Sequence, residues 1–514
     1  MKRMLWLMIA LLLSGIIIFL VVYYQKPIEV RRDLDDILAR IVNFVYIITI
    51  IAIIFLVIRE NSAPINTIAW IQVLIFLPII GIILYVFFGI NYRKRKMFNR
   101  KASKDFLELE TLTQFKESVA TPQKLYETNI SPAQRRMSQL MYNNNKALLT
   151  YHNQAELFTD GSSTISALFE DLKQAQKNIH LEYFSIMPDE VGRQLQAILI
   201  EKAKSGVQVR LICDAVGSWR LPASFFRKLR SVGVQVYEFL PVKLPFLSSK
   251  LNYRNHRKIC VIDGSIGYIG GVNLGRKYLG KHKFYRYWRD THVRLIGDAV
   301  YSLQKVFLTD WSFITGKLDY QAEFFPPHDV ENLLPVQIIS SGPDSDWETI
   351  MQAYFAAISR ASNYIYVATP YFMLNESMLT ALKTAALSGV DVRLILPAKN
   401  DYRIIYYGSR SYYEELLRSG IRIYEYTKGF IHAKVLLTDD VFLSIGSANM
   451  DIRSFKHNFE VNCIMYDDKY AQEVKTHFYQ DFNDSKEIIL SEFVKRPALN
   501  KVWESIARLF SPIL

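Results

Sequence analysis

The chain has 514 residues, 62 of them Lys or Arg and 49 Asp or Glu, for a formal net charge of +13 with His neutral. Half of the residues are hydrophobic and 13% aromatic, which excludes an intrinsically disordered chain, and three Cys in so long a sequence exclude a small disulfide-stapled fold. Cys213, Cys260 and Cys463 lie far apart in apolar, strand-like runs without a C-x-x-C, and read as reduced core residues in a reducing compartment.

Three apolar runs open the chain. Met4–Tyr24 contains no charged residue and is long enough to cross a bilayer of roughly 30 Å. A signal peptide is the alternative for this run, but no A-x-A-like cleavage site follows it. A second run, Ile41–Ile58, lies between Arg40 and Arg59, and a third, over about 68–90, contains Pro78 and Gly81, which membrane helices tolerate. After the third come Arg93, Lys94, Arg95, Lys96, Arg100, Lys101 and Lys104 with no acid among them. The loop between the first two runs carries Lys26, Arg31, Arg32 and Arg40, whereas the next loop has only Arg59. Positive-inside bias therefore predicts a multi-pass anchor over 1–104, with the first loop and the whole C-terminal portion in the cytoplasm. Lys2 and Arg3 then fall outside, against that bias. The juxtamembrane cluster accounts for the basic balance as a topology signal and an attraction for anionic lipid, so nucleic acid is not an expected partner.

Residues 105–150 are polar and read as a helical connector with a turn near Ser131-Pro132. Beyond them the chain repeats itself. Asn178–Phe184 resembles Asn363–Thr369, Ala203–Ile212 resembles Ala386–Ile395, and Gly233–Phe239 resembles Gly420–Tyr426. Strand, helix, Gly turn and apolar strand is the βαβ pattern. The offset, near 185 residues, is far too long for a solenoid. The expectation is an α/β fold of two pseudo-symmetric halves, 151–330 and 331–514, each with a mixed β-sheet flanked by helices.

Each half holds the same polar constellation, over 251–277 and over 427–453. The first is His256, Lys258 and Asp263, then Gly270-Gly271 and Asn273; the second is His432, Lys434 and Asp439, then Gly446-Ser447 and Asn449. On a strand, residues i and i+2 face the same way, so His and Lys project together in each copy. One H-x-K is commonly a polar strand edge. Two copies with Asp, Gly and Asn at matching offsets are not. Two ammoniums and two amides suit a phosphate that gains charge in its transition state. One neutral imidazole can attack phosphorus while the other, protonated, donates to a leaving alkoxide. The sequence has no H-E-x-x-H and no carboxylate cluster at ligand spacing, so neither metal nor cofactor is expected. Gly270 and Gly275 have the Walker spacing but lead into Arg276-Lys277, which excludes a P-loop.

The doubled H-x-K-x4-D with G-[GS]-x-N resembles the phospholipase D superfamily. Thr67–Trp70, Leu77–Tyr85, Phe88-Gly89, Asn91-Tyr92 and the basic run resemble more narrowly the membrane anchor of bacterial cardiolipin synthases. So do Tyr278–Gly280, Trp288–His292, Arg496-Pro497, Glu504–Arg508 and Ser511-Pro512. That resemblance, from residue 41 onward, implies phospholipase D-like halves that join their motifs into one site at the bacterial cell membrane. It implies transfer of phosphatidyl through a phosphohistidine, two phosphatidylglycerols giving cardiolipin and glycerol. His256 and His432 would then be nucleophile and general acid/base, with His256 expected as the nucleophile, and Lys258, Lys434, Asn273 and Asn449 would clamp phosphate. Ser447 and its counterpart Gly271 would have a secondary role. A later carboxylate in each half, Asp290 and Glu460, would orient that half's own histidine, Glu460 stabilising imidazolium at His432. Asp263 and Asp439 close the motifs and are expected to fix local geometry. A water-using phospholipase D, a membrane-tethered nuclease and a nonenzymatic basic scaffold are the rival readings, and a homo-oligomer is left open.

Three weaker features remain. The first half has extra residues before His256, including Pro241–Leu247, proposed by sequence to hold the donor lipid. Arg276–Arg289 interleaves cations with Tyr278, Phe284, Tyr285, Tyr287 and Trp288, as a headgroup interface or a packed loop would. Val502, Ile506, Leu509, Phe510 and Ile513 recur at helical spacing, which predicts a core-packing face rather than one lying on a membrane.

Overall fold

The structure is a computed structural model that describes residues 130–514 apart from 243–251, 282–286, 318, 400 and 512–514; before residue 130 it describes the helix Pro64–Phe76 and isolated helical positions. The chain divides into two compact units, Met1–Arg93 and Lys94–Leu514. In the first, Pro64–Phe76 carries no charged side chain. Among the described residues no helix is long and apolar enough to cross a membrane. The expected span 4–24 and the basic run 93–104 lie outside the described residues, as does most of 41–58 and 68–90.

The second unit begins with the helix Pro132–Asn145. Ser131 caps it, its hydroxyl accepting from Gln134 N while the Gln134 side chain accepts from Ser131 N, a reciprocal box that accounts for the turn expected at Ser131-Pro132. The strands follow: β1 (Leu149–Asp160), β2 (Asn178–Tyr183), β3 (Gln208–Asp214), β4 (Gln235–Phe239), β5 (Lys258–Ile262), β6 (Ile266–Gly270) and β7 (Trp288–Gly297). Then come β8 (Leu333–Ser341), β9 (Tyr364–Ala368), β10 (Phe372–Met373), β11 (Asp391–Pro397), β12 (Arg422–Tyr426), β13 (Phe430–Ile431), β14 (Val435–Thr438), β15 (Phe442–Gly446), β16 (Met450–Asp451), β17 (Glu460–Met465) and β18 (Ser485–Glu487).

Outward from β1 the strand order is β7, β6, β5, β2, β3, β4; outward from β8 it is β17, β15, β14, β9, β11, β12, with β18 added at that edge. In both series the inner strands are antiparallel and the outer three parallel. β1 and β8 pair antiparallel, so the two sheets expected from sequence form one continuous sheet. The likeness extends to backbone angles: Gly206 and Gly389, which end equivalent helices, share φ +94°, a left-handed conformation where a side chain would be strained.

A central apolar cluster joins Ile259, Val261 and Val293 of the first series to Val435, Ile445 and Val461 of the second. Separate clusters bury the outer helices against their own strands. Cys213, Cys260 and Cys463 are buried and unbridged. The C-terminal helix Ala498–Leu509 reverses the sequence expectation. Val502, Ile506 and Leu509 are 52%, 38% and 80% exposed, while Glu504 and Ala507 are each 2% exposed. The buried face is held by ion pairing, Arg496 reaching Glu504 at 2.8 Å, so this helix does not dock through its apolar stripe.

Candidate functional site

The parallel strands β2 and β9 each end at their own half's polar set, Tyr183 opposite Lys258 and Ala368 opposite Val435. β5 opens with Lys258, Lys434 immediately precedes β14, and β6 and β15 end at the glycines that lead to Asn273 and Asn449. The segment ahead of each histidine crosses to the other strand series. Phe430–Ile431 pairs with Trp288–Arg289 in β7, and His432 N donates to Arg289 O at 2.7 Å. Asn255 bridges to Phe459, and His256 N donates to Phe459 O at 2.9 Å. Each histidine is thereby laid against the strand that carries the opposite series' carboxylate.

His256 Nδ1 lies 3.0 Å from both oxygens of Glu460. His432 Nδ1 lies 2.8 Å from Asp290 Oδ2. The expectation that each carboxylate orients its own half's histidine is therefore wrong, and so is Glu460 beside His432. The cause is the backbone exchange, which sequence separation conceals. Both carboxylates are fully buried, and each is held from two residues upstream: the Trp288 indole N–H donates to Asp290 at 3.2 Å and the Asn458 amide to Glu460 at 3.2 Å. Ser447 Oγ donates to Glu460 at 2.5 Å. At the matching position a side chain on Gly271 would put its Cβ 2.1 Å from Asp290 Oδ1.

The electrostatics favour the neutral form of both rings. Burial brings His256 down to about 4 against the pull of Glu460. Burial, then the Lys434 charge, brings His432 down to about 3 against Asp290. Burial pushes both carboxyls up, but their histidine partners and the lysines outweigh it and leave Asp290 and Glu460 below the usual carboxylate value. Lys258 is driven well below the usual ammonium value by burial, and Lys434 to about 8. Both ammoniums donate to the carbonyl of their own histidine, Lys434 to His432 O at 2.5 Å. Lys434 also sits 3.0 Å from His432 Nδ1; because the buried Asp290 anion needs the ring proton, Nδ1 carries it and Lys434 acts there through charge. The Lys434 charge is felt at His256 and the Lys258 charge at His432, so the two motifs form one electrostatic site. The rings retain 8% and 7% exposure.

Asn273 Oδ1 accepts from Ser185 N at 3.1 Å, and its side chain also bonds the Tyr278 hydroxyl. Asn449 is buried with its Oδ1 unpartnered among the described residues. Asp263 and Asp439 are elsewhere. Each lies past the far end of its motif strand at φ near +50° (52° and 51°), its carboxylate accepting three backbone N–H groups, from Gln176, Lys177 and Asn178 or from Ser362, Asn363 and Tyr364. They tie β5 to β2 and β14 to β9 and take no direct part at the histidines.

Sequence reasoning missed Phe184, whose ring meets His256 at 5.0 Å, and the donor role of Asn458 and Trp288. It also missed two buried ion pairs behind the histidines. Arg257 donates to Glu460 O at 3.2 Å and pairs with Asp310; Arg289 donates to Asp290 O and pairs with Asp481 at 2.9 Å. The i, i+2 spacing of Asn458/Glu460 and Trp288/Asp290 was the available signal. Most of Pro241–Leu247, with Phe284 and Tyr285, lies outside the described residues. Among the described residues no three His, Cys, Asp or Glu side chains are grouped to hold a metal ion.

The family model described as "Cardiolipin synthase, PLD-like domain" matches residues 168–311 and again 354–482, and one described as "Phospholipase_D-nuclease N-terminal" matches 45–89. The chain is 44% identical over 468 residues to a cardiolipin synthase of Geobacillus sp. (strain WCH70), covering 91% of this chain and 92% of that one. It is 39% identical over 476 residues to the major cardiolipin synthase ClsA of Bacillus subtilis (strain 168), covering 92% and 99%. In fold it resembles the crystal structure of phosphatidylserine synthase from Haemophilus influenzae Rd KW20, with a TM-score of 0.56 at 15% identity, over 74% of this chain and all of that one.

Proposed function

The chain belongs to the cardiolipin synthases of the phospholipase D superfamily, and from that premise we propose that it joins two phosphatidylglycerols through a phosphohistidine shared between two pseudo-symmetric halves, 151–330 and 331–514. It is a phosphatidyltransferase of the bacterial cell membrane. The observation that carries the mechanism is the crossed clasp of both histidines, Nδ1 on Glu460 at 3.0 Å and Nδ1 on Asp290 at 2.8 Å. A carboxylate on Nδ1 fixes the tautomer with a lone pair on Nε2, the form that can attack phosphorus.

In the first step one Nε2 bonds to the phosphorus of the donor phosphatidylglycerol as the phosphorus–glycerol bond breaks. The departing glycerol oxygen takes a proton from the other imidazolium. In the second step the headgroup hydroxyl of another phosphatidylglycerol attacks phosphorus, returns a proton to that imidazole and releases the first Nε2. Glycerol and cardiolipin leave, and the enzyme is regenerated. Burial disfavours the imidazolium; the diester anion brought between Lys258, Lys434 and the rings favours it. The same ammoniums and the Asn449 amide face charge that builds on the equatorial oxygens. Exchange of one phosphodiester for another is near balance, so no nucleotide drives it.

We place an anchor over 1–104 ahead of the connector 105–150, with the catalytic halves on the cytoplasmic side, from the N-terminal family match and the basic run that follows it. Chromatography of lipids from membranes of cells with and without the chain tests the reading: cardiolipin should accumulate at the expense of phosphatidylglycerol, and phosphatidic acid in its place would mean that water is the acceptor. In detergent, transfer should survive exhaustive chelation, because the lysines carry the electrostatic role; strict loss with rescue by one divalent ion would contradict it.

A further inference from the structure

The C-terminal helix Ala498–Leu509 is apolar outward. Leu499, Val502, Trp503, Ile506 and Leu509 are 65%, 52%, 49%, 38% and 80% exposed, while its polar side is bound to the protein through Arg496–Glu504 and through Arg508–Glu415 at 2.8 Å. It packs on the helix Arg403–Arg410, where Gly408 lies against Met373 and Ala507, and that helix is preceded by Tyr402 and carries Ile404, 61% and 40% exposed. The pair leads to the catalytic mouth: Phe372 N donates to Ser409 Oγ at 3.3 Å, and Phe372–Met373 pairs with Met450–Asp451, directly after Asn449. The same edge of the first half shows the same character. The loop after β3 presents Trp219, 71% exposed, with Arg220 over its ring, and Gly217 in that loop lies against Phe184, the neighbour of His256. Arg403 and Lys501, on the two helices, and Lys495, just ahead of the C-terminal one, are exposed.

We propose that this surface is an interfacial docking face that seats the catalytic mouth on an anionic lipid bilayer. The inference rests on the lipid substrate of the proposed function and adds where the catalytic unit meets the membrane that holds it. Twelve residues of helix reach only about 18 Å, too short to span, so the helix lies in the plane with its side chains in the headgroup–acyl boundary. These exposed cations match the charge of phosphatidylglycerol. The C-terminal ends of the parallel strands, where open α/β sheets take their ligands, would then face the lipid directly.

The test uses the full-length protein reconstituted in phosphatidylglycerol/phosphatidylcholine vesicles. Because the three native cysteines are buried, Val502→Cys can carry a single environment-sensitive fluorophore, with exposed Glu473→Cys as control. The label at 502 should lose about half or more of its emission to lipids brominated near the acyl-chain tops, as a group about 5–10 Å into the boundary does; the label at 473 should not. Equal quenching at both positions, or none at 502, overturns the proposal. Disulfide cross-linking of 502 between copies, or an apolar environment at 502 that persists in detergent without quenching in vesicles, overturns it too, the first assigning the face to a second copy and the second to the chain's own N-terminal segment. In a second arm, Val502→Glu with Ile506→Glu should slow transfer on vesicles about tenfold and on monomeric short-chain phosphatidylglycerol less than about twofold. Equal loss on both substrates overturns the docking role. Absence of transfer by the unaltered enzyme on either substrate would instead remove the transferase reading, while the quenching result would stand by itself.

Discussion

A buried imidazole beside a buried carboxylate is defined by which atom carries the proton. Glu460 holds His256 from both its oxygens and is itself held by Ser447 and Asn458. Glu460→Gln keeps the shape and removes the anion, so the proton on Nδ1 is no longer favoured. We expect kcat to fall on the order of a thousandfold or more with little change in KM or melting temperature, read in a detergent assay. Asp290→Asn should act likewise, through His432. Lys434 contributes to the alkaline limit. Its ammonium, brought to about 8 by burial, is protonated below that value and lost above it, so kcat/KM should bend downward near pH 8. Lys434→Arg, whose charge persists, should lower the rate and weaken the bend near pH 8. Stability has the opposite trend on the acid side. His256 and His432 fall from 6.5 to about 4 and about 3, so the unfolded chain binds their protons first and stability rises with pH from about 4 to 6.5. The melting temperature should drop steeply as pH falls through that window, each histidine contributing up to about 1.4 kcal/mol per pH unit; a flat profile would contradict their burial as neutral rings.

At the scale of the elements, the exchange of short segments between the halves decides the site. β13 joins β7 and Asn255 joins Phe459, and the Arg257–Asp310 and Arg289–Asp481 pairs then pin the carboxylate strands to the helices Ala299–Thr315 and Asp468–Asn483. The two arginines occupy unlike sequence positions, one between His256 and Lys258, the other before Asp290, while Ala433 stands where Arg257 would be expected in the second motif. Asp310→Asn, which leaves Arg257 buried without its partner anion, should cost about 3–5 kcal/mol, and Asp310→Asn with Arg257→Met should recover part of it. Asp439→Ala should destabilise by about 1 kcal/mol through three lost N–H bonds, two of which water can replace, while kcat per folded enzyme stays within about twofold. The duplication, the strand pattern and the His, Lys and Asn set were legible because periodicity and local spacing encode them. The crossed carboxylates were not: residues 256 and 460 are brought together by long-range pairing that neither half displays in its own sequence. The C-terminal helix misled for a related reason, since its apolar stripe shows a period without showing which way it faces, and the Arg496–Glu504 contact that turns it outward is polar.

In the unit Lys94–Leu514, the β1–β8 pairing and the shared core around Val293 and Val461 make one body of two repeats. Each repeat supplies a histidine, a lysine and the carboxylate that holds the other repeat's histidine, so neither should work alone. His256→Ala and His432→Ala should each abolish cardiolipin formation in a folded, membrane-held protein. A donor with a low-pKa leaving group needs the nucleophile but not the acid, so it should restore phosphoenzyme formation to one of the two variants and not to the other. The sequence assignment of His256 as nucleophile drew on Pro241–Leu247 and Trp288–Asp290 lying around His256 and on Glu460 acting at His432; Trp288 and Asp290 instead stand at His432 and Glu460 at His256, so this restoration identifies the nucleophile.

A covalent phosphohistidine, formed in a site built jointly by both repeats, can be trapped. Full-length enzyme quenched during turnover of labelled phosphatidylglycerol, with chelator present, should yield an adduct on His256 or His432 whose phosphorus–nitrogen bond is acid-labile and base-stable, located by mass spectrometry and lost in the corresponding alanine variant. Substantial turnover by either alanine variant on ordinary phosphatidylglycerol, or an adduct on a serine or carboxylate instead, would contradict it.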